Sequence, residues 1–263
     1  MIVTGQVPAS CCAEFYELPI VEYLLGQSFH PGGAKLTRQL ASAALVSPQA
    51  AVLDVACGNG NSARVIAADF GAMVIGCDYS AANLARATAS SRTARLETKT
   101  RFVRSSAEHL PFVSKSFDVA LCECSLCLLA NISTALGQFH RVLKPGGRIG
   151  ISDFFLNAPA PASLDGLLGH ILCVAGAPSA AGYREALTRA GFEYVRIRVV
   201  NWTLANMIQR VRHRLNLLLT APTMASATLP TDWGDPAPVL ADLESFIASG
   251  GAGYLIATAR RSY

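Results

Sequence analysis

The apolar positions of this chain change period along its length, and each change marks an element. Ala51 to Val55 is a short apolar run that ends at glycines 58 and 60. From about Ser62 to Phe70 the apolar residues return at helical spacing, and Met73 to Cys77 is a second short run ending on Asp78. Val119 to Cys122 and Arg148 to Ser152 are further runs of the kind expected for strands covered on both faces. Upstream, Ala34 to Leu45 has helical spacing, with Leu36, Leu40 and Leu45 as its apolar contacts. Downstream, Leu164 to Val174 predicts a short apolar helix and Tyr183 to Ala190 another, stopped by Gly191. Phe192 to Val200 predicts a strand whose Arg196 and Arg198 mark one wetted face. Strands alternating with helices predict an α/β domain with a mostly parallel sheet.

Gly253 to Ala259 is a good last strand, but about fifty residues separate it from the preceding one. They include a helix pattern from Leu204 to Leu219, a polar stretch from Pro222 to Pro238 and a second helix pattern from Val239 to Ser249. That length is outside ordinary hairpin loops. It predicts a helical cap inserted before the last strand, placed either to select a ligand at the mouth of a site or to dimerise. The expected organisation is an N-terminal helical segment over the cleft (1–50), a core (51–200) with an insert at 157–180, the cap (201–252) and a final core strand (253–263).

With 263 residues, 51% of them apolar, the chain can bury a full α/β core and one accessory region. The net charge of +4 is mild. Seven arginines between Arg184 and Arg214 lack the interleaved aromatics of a nucleic-acid face and read as a solvated helix surface. No apolar stretch reaches the roughly 18–20 residues of a bilayer span, and no signal peptide is evident. The expected partner is therefore a small molecule, with neither nucleic acid nor membrane, for a monomer or homodimer. Cys57, Cys77 and Cys122, among eight cysteines, fall in or at the ends of predicted strands, which points to a reduced, cytoplasmic protein. Cys124 and Cys127 alone are a weak zinc signal.

Residues 53–60, Leu-Asp-Val-Ala-Cys-Gly-Asn-Gly, carry the candidate chemistry. Strand, glycine turn, helix, strand, acid is the layout of a nucleotide or nucleoside site, with Asp78 placed to accept from ribose hydroxyls. Ala63 occupies the third glycine position of a dinucleotide fingerprint, and Asp54 puts negative charge near the ligand. Both disfavour a pyrophosphate and favour a cationic or amino-bearing ligand.

The stretch resembles motif I of the class I S-adenosylmethionine-dependent methyltransferases, with Ala56 in place of the first glycine of Asp-x-Gly-Cys-Gly-x-Gly. Arg101 to Phe112, Ser116-Phe117-Asp118 and His140 to Gly147 continue the series in the order of the UbiE-type subgroup. The resemblance covers about residues 46–156. It implies a Rossmann-like seven-stranded sheet and S-adenosylmethionine as cofactor. The implied cofactor residues are Asp54, Ala56, Gly58, Gly60, Asp78, Tyr79, Ala107, Glu108 and Glu123.

Two further segments resemble the arsenite methyltransferases: Leu121-Cys122-Glu123-Cys124 after the fourth strand, and Cys173-Val174-Ala175-Gly176-Ala177 in the insert. The resemblance implies that Cys124 and Cys173 hold trivalent arsenic, with Cys12 or Cys11 as a third thiol. Soft thiolates suit a soft centre. Against it, Leu172 replaces an acidic residue, Glu123 stands where those enzymes have an amide, and their extended C-terminal domain has no counterpart. The same cysteines also read as small buried apolar side chains. The alternative is a small organic thiol, carbon or oxygen acceptor with His30, Glu123 or His170 as base. A non-catalytic cofactor-binding scaffold is a third reading.

Overall fold

The computed structural model describes residues 9–164, 173–174, 176–220 and 236–263. Three helices come first: α1 (Ala9–Glu17), α2 (Pro19–Leu25) and α3 (Gly33–Ala43). The core follows as β1 (Ala51–Val55), α4 (Asn61–Phe70), β2 (Met73–Asp78), α5 (Ala81–Thr93), β3 (Thr100–Arg104), β4 (Phe117–Glu123), α6 (Ile132–Val142) and β5 (Leu143–Leu156). The remaining elements are α7 (Ala180–Arg189), β6 (Phe192–Val199), α8 (Trp202–Leu219), α9 (Pro236–Ala248) and β7 (Ala252–Arg261).

The strands form one seven-stranded sheet in the order β3-β2-β1-β4-β5-β7-β6. β1 to β5 are parallel, and β7 runs antiparallel to both of its neighbours. This is the expected Rossmann-like sheet with helices inserted before its last strand. The run predicted at Arg148–Ser152 belongs to a strand of fourteen residues, which pairs with β7 from Arg148 to Leu156 and with β4 at Leu143. Both faces of the sheet are covered. Leu36, Leu40 and Ile66 pack with Phe154 and Tyr254 in one buried cluster, and Leu136, Phe139 and Tyr183 pack with Leu53 and Ile151 in the other.

The strand order reverses between β1 and β4, so successive crossovers leave toward opposite edges. A crevice opens at the carboxyl ends of those two strands, where open α/β sheets bind ligands. α3 presents Leu36, Thr37, Leu40 and Ala41 to the interior. The expected contact at Leu45 is not made: that residue takes a left-handed φ of 57°, ends the helix, and lies exposed.

α8 and α9 pack behind the N-terminal helices. Leu204, Met207, Ile208, Leu243 and Phe246 join the buried cluster around Tyr254. Arg214 donates to the carbonyls of Tyr23 (2.8 Å) and Leu24 (3.1 Å), closing the end of α2. The predicted helix Leu164–Val174, including His170, and the polar stretch from Pro222 fall largely outside the described residues. Among those residues no helix is long and apolar enough to cross a membrane.

Candidate active site

The cleft at the β1/β4 carboxyl ends encloses roughly 1040 Å³ of non-protein space, open solvent at its mouth included. That is room for a nucleoside-sized ligand and a small second molecule. Asp78, at the end of β2, organises one half. Its Oδ2 accepts from the Gly58 N–H and its Oδ1 from the Ser80 N–H, both at 2.8 Å. Burial raises its pKa against the opposing pull of these N–H donors. A carboxylate has about four acceptor positions, so Asp78 keeps capacity for a ligand's hydroxyls. Tyr79, Ala107 and Glu108 line the same half. Glu108 is fixed by Ser106 and by the Asn131 N–H (3.4 Å).

The turn after β1 places backbone against this space. Ala56 lines it with a left-handed φ of 55°, the conformation that the family's glycine adopts without strain. Gly60 does not line the cleft as expected. It begins α4 at φ 72°, and a Cβ there would lie 2.7 Å from Ala87 and 2.8 Å from Phe102. Its glycine is required by packing against α5 and β3.

Asp54 is 2% exposed, and its Oδ2 has no hydrogen-bond partner. Burial first, then the charges of Glu123 and Asp78, push its pKa well above the usual carboxylate range. An orphaned buried carboxylate oxygen facing a cleft needs an outside donor. Together with the Asp78 carboxylate and the exposed turn backbone, it fits a ligand with a ribose at one end and an ammonium at the other, as S-adenosylmethionine has.

The other half is built from α1, the loop before α3, and the end of β4. Tyr16 and Phe29 form a tilted aromatic wall with ring centroids 5.5 Å apart. Behind it lies a buried polar network. Thr37 donates to Glu123 Oε1 at 2.9 Å, and its Oγ1 lies 3.3 Å from both His30 Nε2 and Ser62 Oγ. Ser152 donates to Glu123 Oε2 at 3.1 Å. His30 Nδ1 stands 3.1 Å from the Pro31 carbonyl, to which it donates, and 3.6 Å from Glu123 Oε2.

The Cys124 and Cys173 sulfurs lie 3.4 Å apart, and Cys173 also donates to the Cys124 carbonyl. Cys124 lines the cleft. Cys127 bonds to Asp153 Oδ1 at 3.1 Å. The bond with Cys173, then burial, raises the Cys124 pKa. The Cys124 bond pulls the Cys173 thiol down, but contact with Cys127 and burial outweigh it. Cys12 belongs to α1 and its side chain lies outside the described residues. Among those residues no group of three or more His, Cys, Asp or Glu could hold a metal ion.

Sequence reasoning missed Thr37 and Ser152, and it gave Tyr16, Phe29 and Ser62 no specific role. Thr37 was detectable as a polar residue one step along the buried stripe Leu36–Leu40. The described cleft lining includes no residue from 201–252, and α8 and α9 pack on α2 and the sheet.

Residues 53–151 match the model of the methyltransferase domain family. The O-methyltransferase rstn1 of Aspergillus nomiae is 30% identical over 162 residues, 61% of this chain and 72% of that protein. The arsenite methyltransferase of Halobacterium salinarum is 32% identical over 160 residues, 59% of this chain and 40% of that one. The solved structure of the [4+2]-cyclase SpnF superposes with a TM-score of 0.79 at 24% identity, covering 97% of this chain and 98% of that one, a likeness of fold. The chain spans about half the length, or less, of several curated relatives that it matches.

Proposed function

The chain belongs to the class I S-adenosylmethionine-dependent methyltransferases, and we propose that it methylates a small organic acceptor held between the Tyr16–Phe29 wall and the His30–Glu123 pair. The motif series at 101–112 and 140–147 supports placing it with the UbiE-type subgroup. Asp78 is assigned to the ribose hydroxyls, Ala107 and Glu108 to the border of the adenine, and Asp54 with the Ala56–Gly58 backbone to the amino-acid end. When bound, the cofactor supplies an electrophilic methyl group. The protein's own work is alignment, exclusion of water and removal of a proton. Tyr16 and Phe29 exclude water over the acceptor half. His30 and Glu123 are the groups placed to take the proton.

The observation that carries this reading is the buried His30 Nδ1–Glu123 Oε2 approach of 3.6 Å beside the glycine turn. The test is methyl transfer to a panel of phenols, thiols and carbon acids by wild type, His30→Gln and Glu123→Gln. A positioned base contributes about 10²–10⁴-fold. Losses on that scale, with cofactor affinity kept within a few fold, are expected. Unimpaired turnover in both variants rejects the base.

The Cys124–Cys173 contact favours a second reading, in which the acceptor is trivalent arsenic held by those thiols with Cys12 as a third. Arsenite and glutathione, offered to wild type, Cys124→Ser and Cys173→Ser, test it. Under this reading arsenite turnover collapses in both variants while cofactor binding persists.

A further inference from the structure

Charge in the cleft is one-sided. Asp54, Asp78, Glu108 and Glu123 line it, and among the described lining residues there is no lysine or arginine. The segments outside the described residues contain neither residue type, so they cannot supply one. Three arginines lie behind the lining, without lining it themselves, and each donates to a backbone carbonyl. Arg64 donates to the Asn59 carbonyl (2.8 Å), Arg86 to the Glu17 carbonyl (2.8 Å), and Arg104 to the Tyr79 carbonyl (3.0 Å). Asp78 and Glu108 belong to the nucleoside half and Asp54 to the amino-acid end of the cofactor, whereas Glu123 lies in the acceptor half beside Tyr16, Phe29 and His30.

Proteins recognise phosphates and carboxylates with arginine forks, lysines or clustered N–H donors. The acceptor half offers the opposite: a carboxylate, hydroxyls that already serve it, and the faces of Tyr16 and Phe29. Aromatic faces tolerate neutral surface and attract cations. Like charges brought together in a partly desolvated cleft repel strongly.

We infer that the acceptor is neutral or cationic where it enters the cleft, and that this site rejects molecules carrying a phosphate or carboxylate near the reacting atom. The inference rests on the organic-acceptor reading above and narrows its substrate class.

The field can be measured without knowing the acceptor. Ser28 Oγ lies 3.4 Å from His30 Nε2 and lines the acceptor half. The full chain carrying Ser28→Cys, saturated with S-adenosylhomocysteine, is treated with a trimethylammonium or a sulfonate methanethiosulfonate of equal chain length. Peptide mass mapping reads modification at position 28. Divided by the same ratio for mercaptoethanol, the cation-to-anion rate ratio should exceed about tenfold, and it should fall when Glu123→Gln is added. A normalised ratio at or below one overturns the inference. If Ser28→Cys fails to bind the cofactor product, Asn61→Cys takes its place.

Turnover is then compared for tyramine, 4-ethylphenol and 4-hydroxyphenylacetate, which share a phenol and differ in charge. The first two should exceed the third by about tenfold or more, and faster methylation of the anion overturns the inference. Turnover of none of them counts against the phenol branch of the organic reading, and the thiol-modification ratio then decides the charge preference by itself.

Discussion

The Sγ atoms of Cys124 and Cys173, 49 residues apart in sequence, meet at 3.4 Å beneath the acceptor half of the cleft. Both residues hold left-handed backbone, with φ of 55° and 60°, so two strained loops are bent to bring the sulfurs together. The bond from Cys173 and burial raise the Cys124 pKa, and contact with Cys127 and burial raise that of Cys173 against the opposing pull of Cys124, which keeps both thiols protonated near neutral pH. The thiolate is the reactive form. N-ethylmaleimide at pH 7.5 should therefore label these two residues at least about tenfold more slowly in native protein than in urea. Equal rates by peptide mapping would show that the pair is neither buried nor held neutral.

Asp78 is committed to the glycine turn as well as to a ligand. Its two oxygens hold the Gly58 and Ser80 N–H groups. Asp78→Ala removes charged acceptors from a ribose diol and loosens the turn in one step. Calorimetry should show S-adenosylmethionine affinity falling by about tenfold or more, since hydrogen bonds to charged groups are worth about 1.5–3 kcal/mol. Unchanged affinity would remove Asp78 from the cofactor site.

Thr37 is fully buried and touches His30, Ser62 and Glu123 with one oxygen. A hydroxyl has one proton and two lone pairs, so donation to Glu123 leaves it able to accept from the Ser62 hydroxyl. Thr37→Val keeps the volume and deletes the link. The expected result is a fall in kcat of about tenfold with cofactor affinity unchanged, and recovery in Thr37→Ser. A loss that serine does not restore would mean that the methyl group, not the hydroxyl, matters.

The contrast between Asp78 and Thr37 shows what the sequence made legible. Asp78 belongs to a local unit, strand–turn–helix–strand, whose residues lie close in sequence, so its place followed from spacing. Glu123 was visible for the same reason at the end of β4. Its partners Thr37 and Ser152 come from α3 and β5, 86 and 29 residues away, and only the closed sheet brings them to one carboxylate. Gly60 shows the converse. Its motif position was legible, but its neighbours Ala87 and Phe102 are set by packing, and they give the glycine a steric role that the motif did not reveal.

Ala56 stands at φ 55° where the motif's usual residue is glycine. An L-residue pays roughly 1–2 kcal/mol in this region, while glycine loses roughly 0.5–1 kcal/mol in unfolded-chain entropy. Ala56→Gly should therefore stabilise by a few tenths to about 1 kcal/mol, raising Tm by about 1–4 °C. A clear fall in Tm would mean that the alanine methyl makes a contact worth more than the strain.

Asp153 is fully buried in β5, and burial pushes its pKa up to about 6 despite donors from Cys127 and Phe154. In an unfolded chain an aspartate titrates near 3.9. Between these values the folded state keeps a proton that the unfolded state has lost. The stabilisation from this group is therefore complete below about pH 4 and is lost as pH rises through about 6. A shift of about two units corresponds to about 3 kcal/mol. Asp153→Asn removes the titration, and because its single amide oxygen can accept from only one of the Cys127 and Phe154 N–H groups, it adds a cost that does not vary with pH. In urea unfolding at pH 4.5, 5.5, 6.5 and 7.5, the stability of Asp153→Asn relative to wild type should rise with pH and level off above about 7. A difference that is flat, or that falls with pH, would show that the folded protein does not hold this carboxyl protonated.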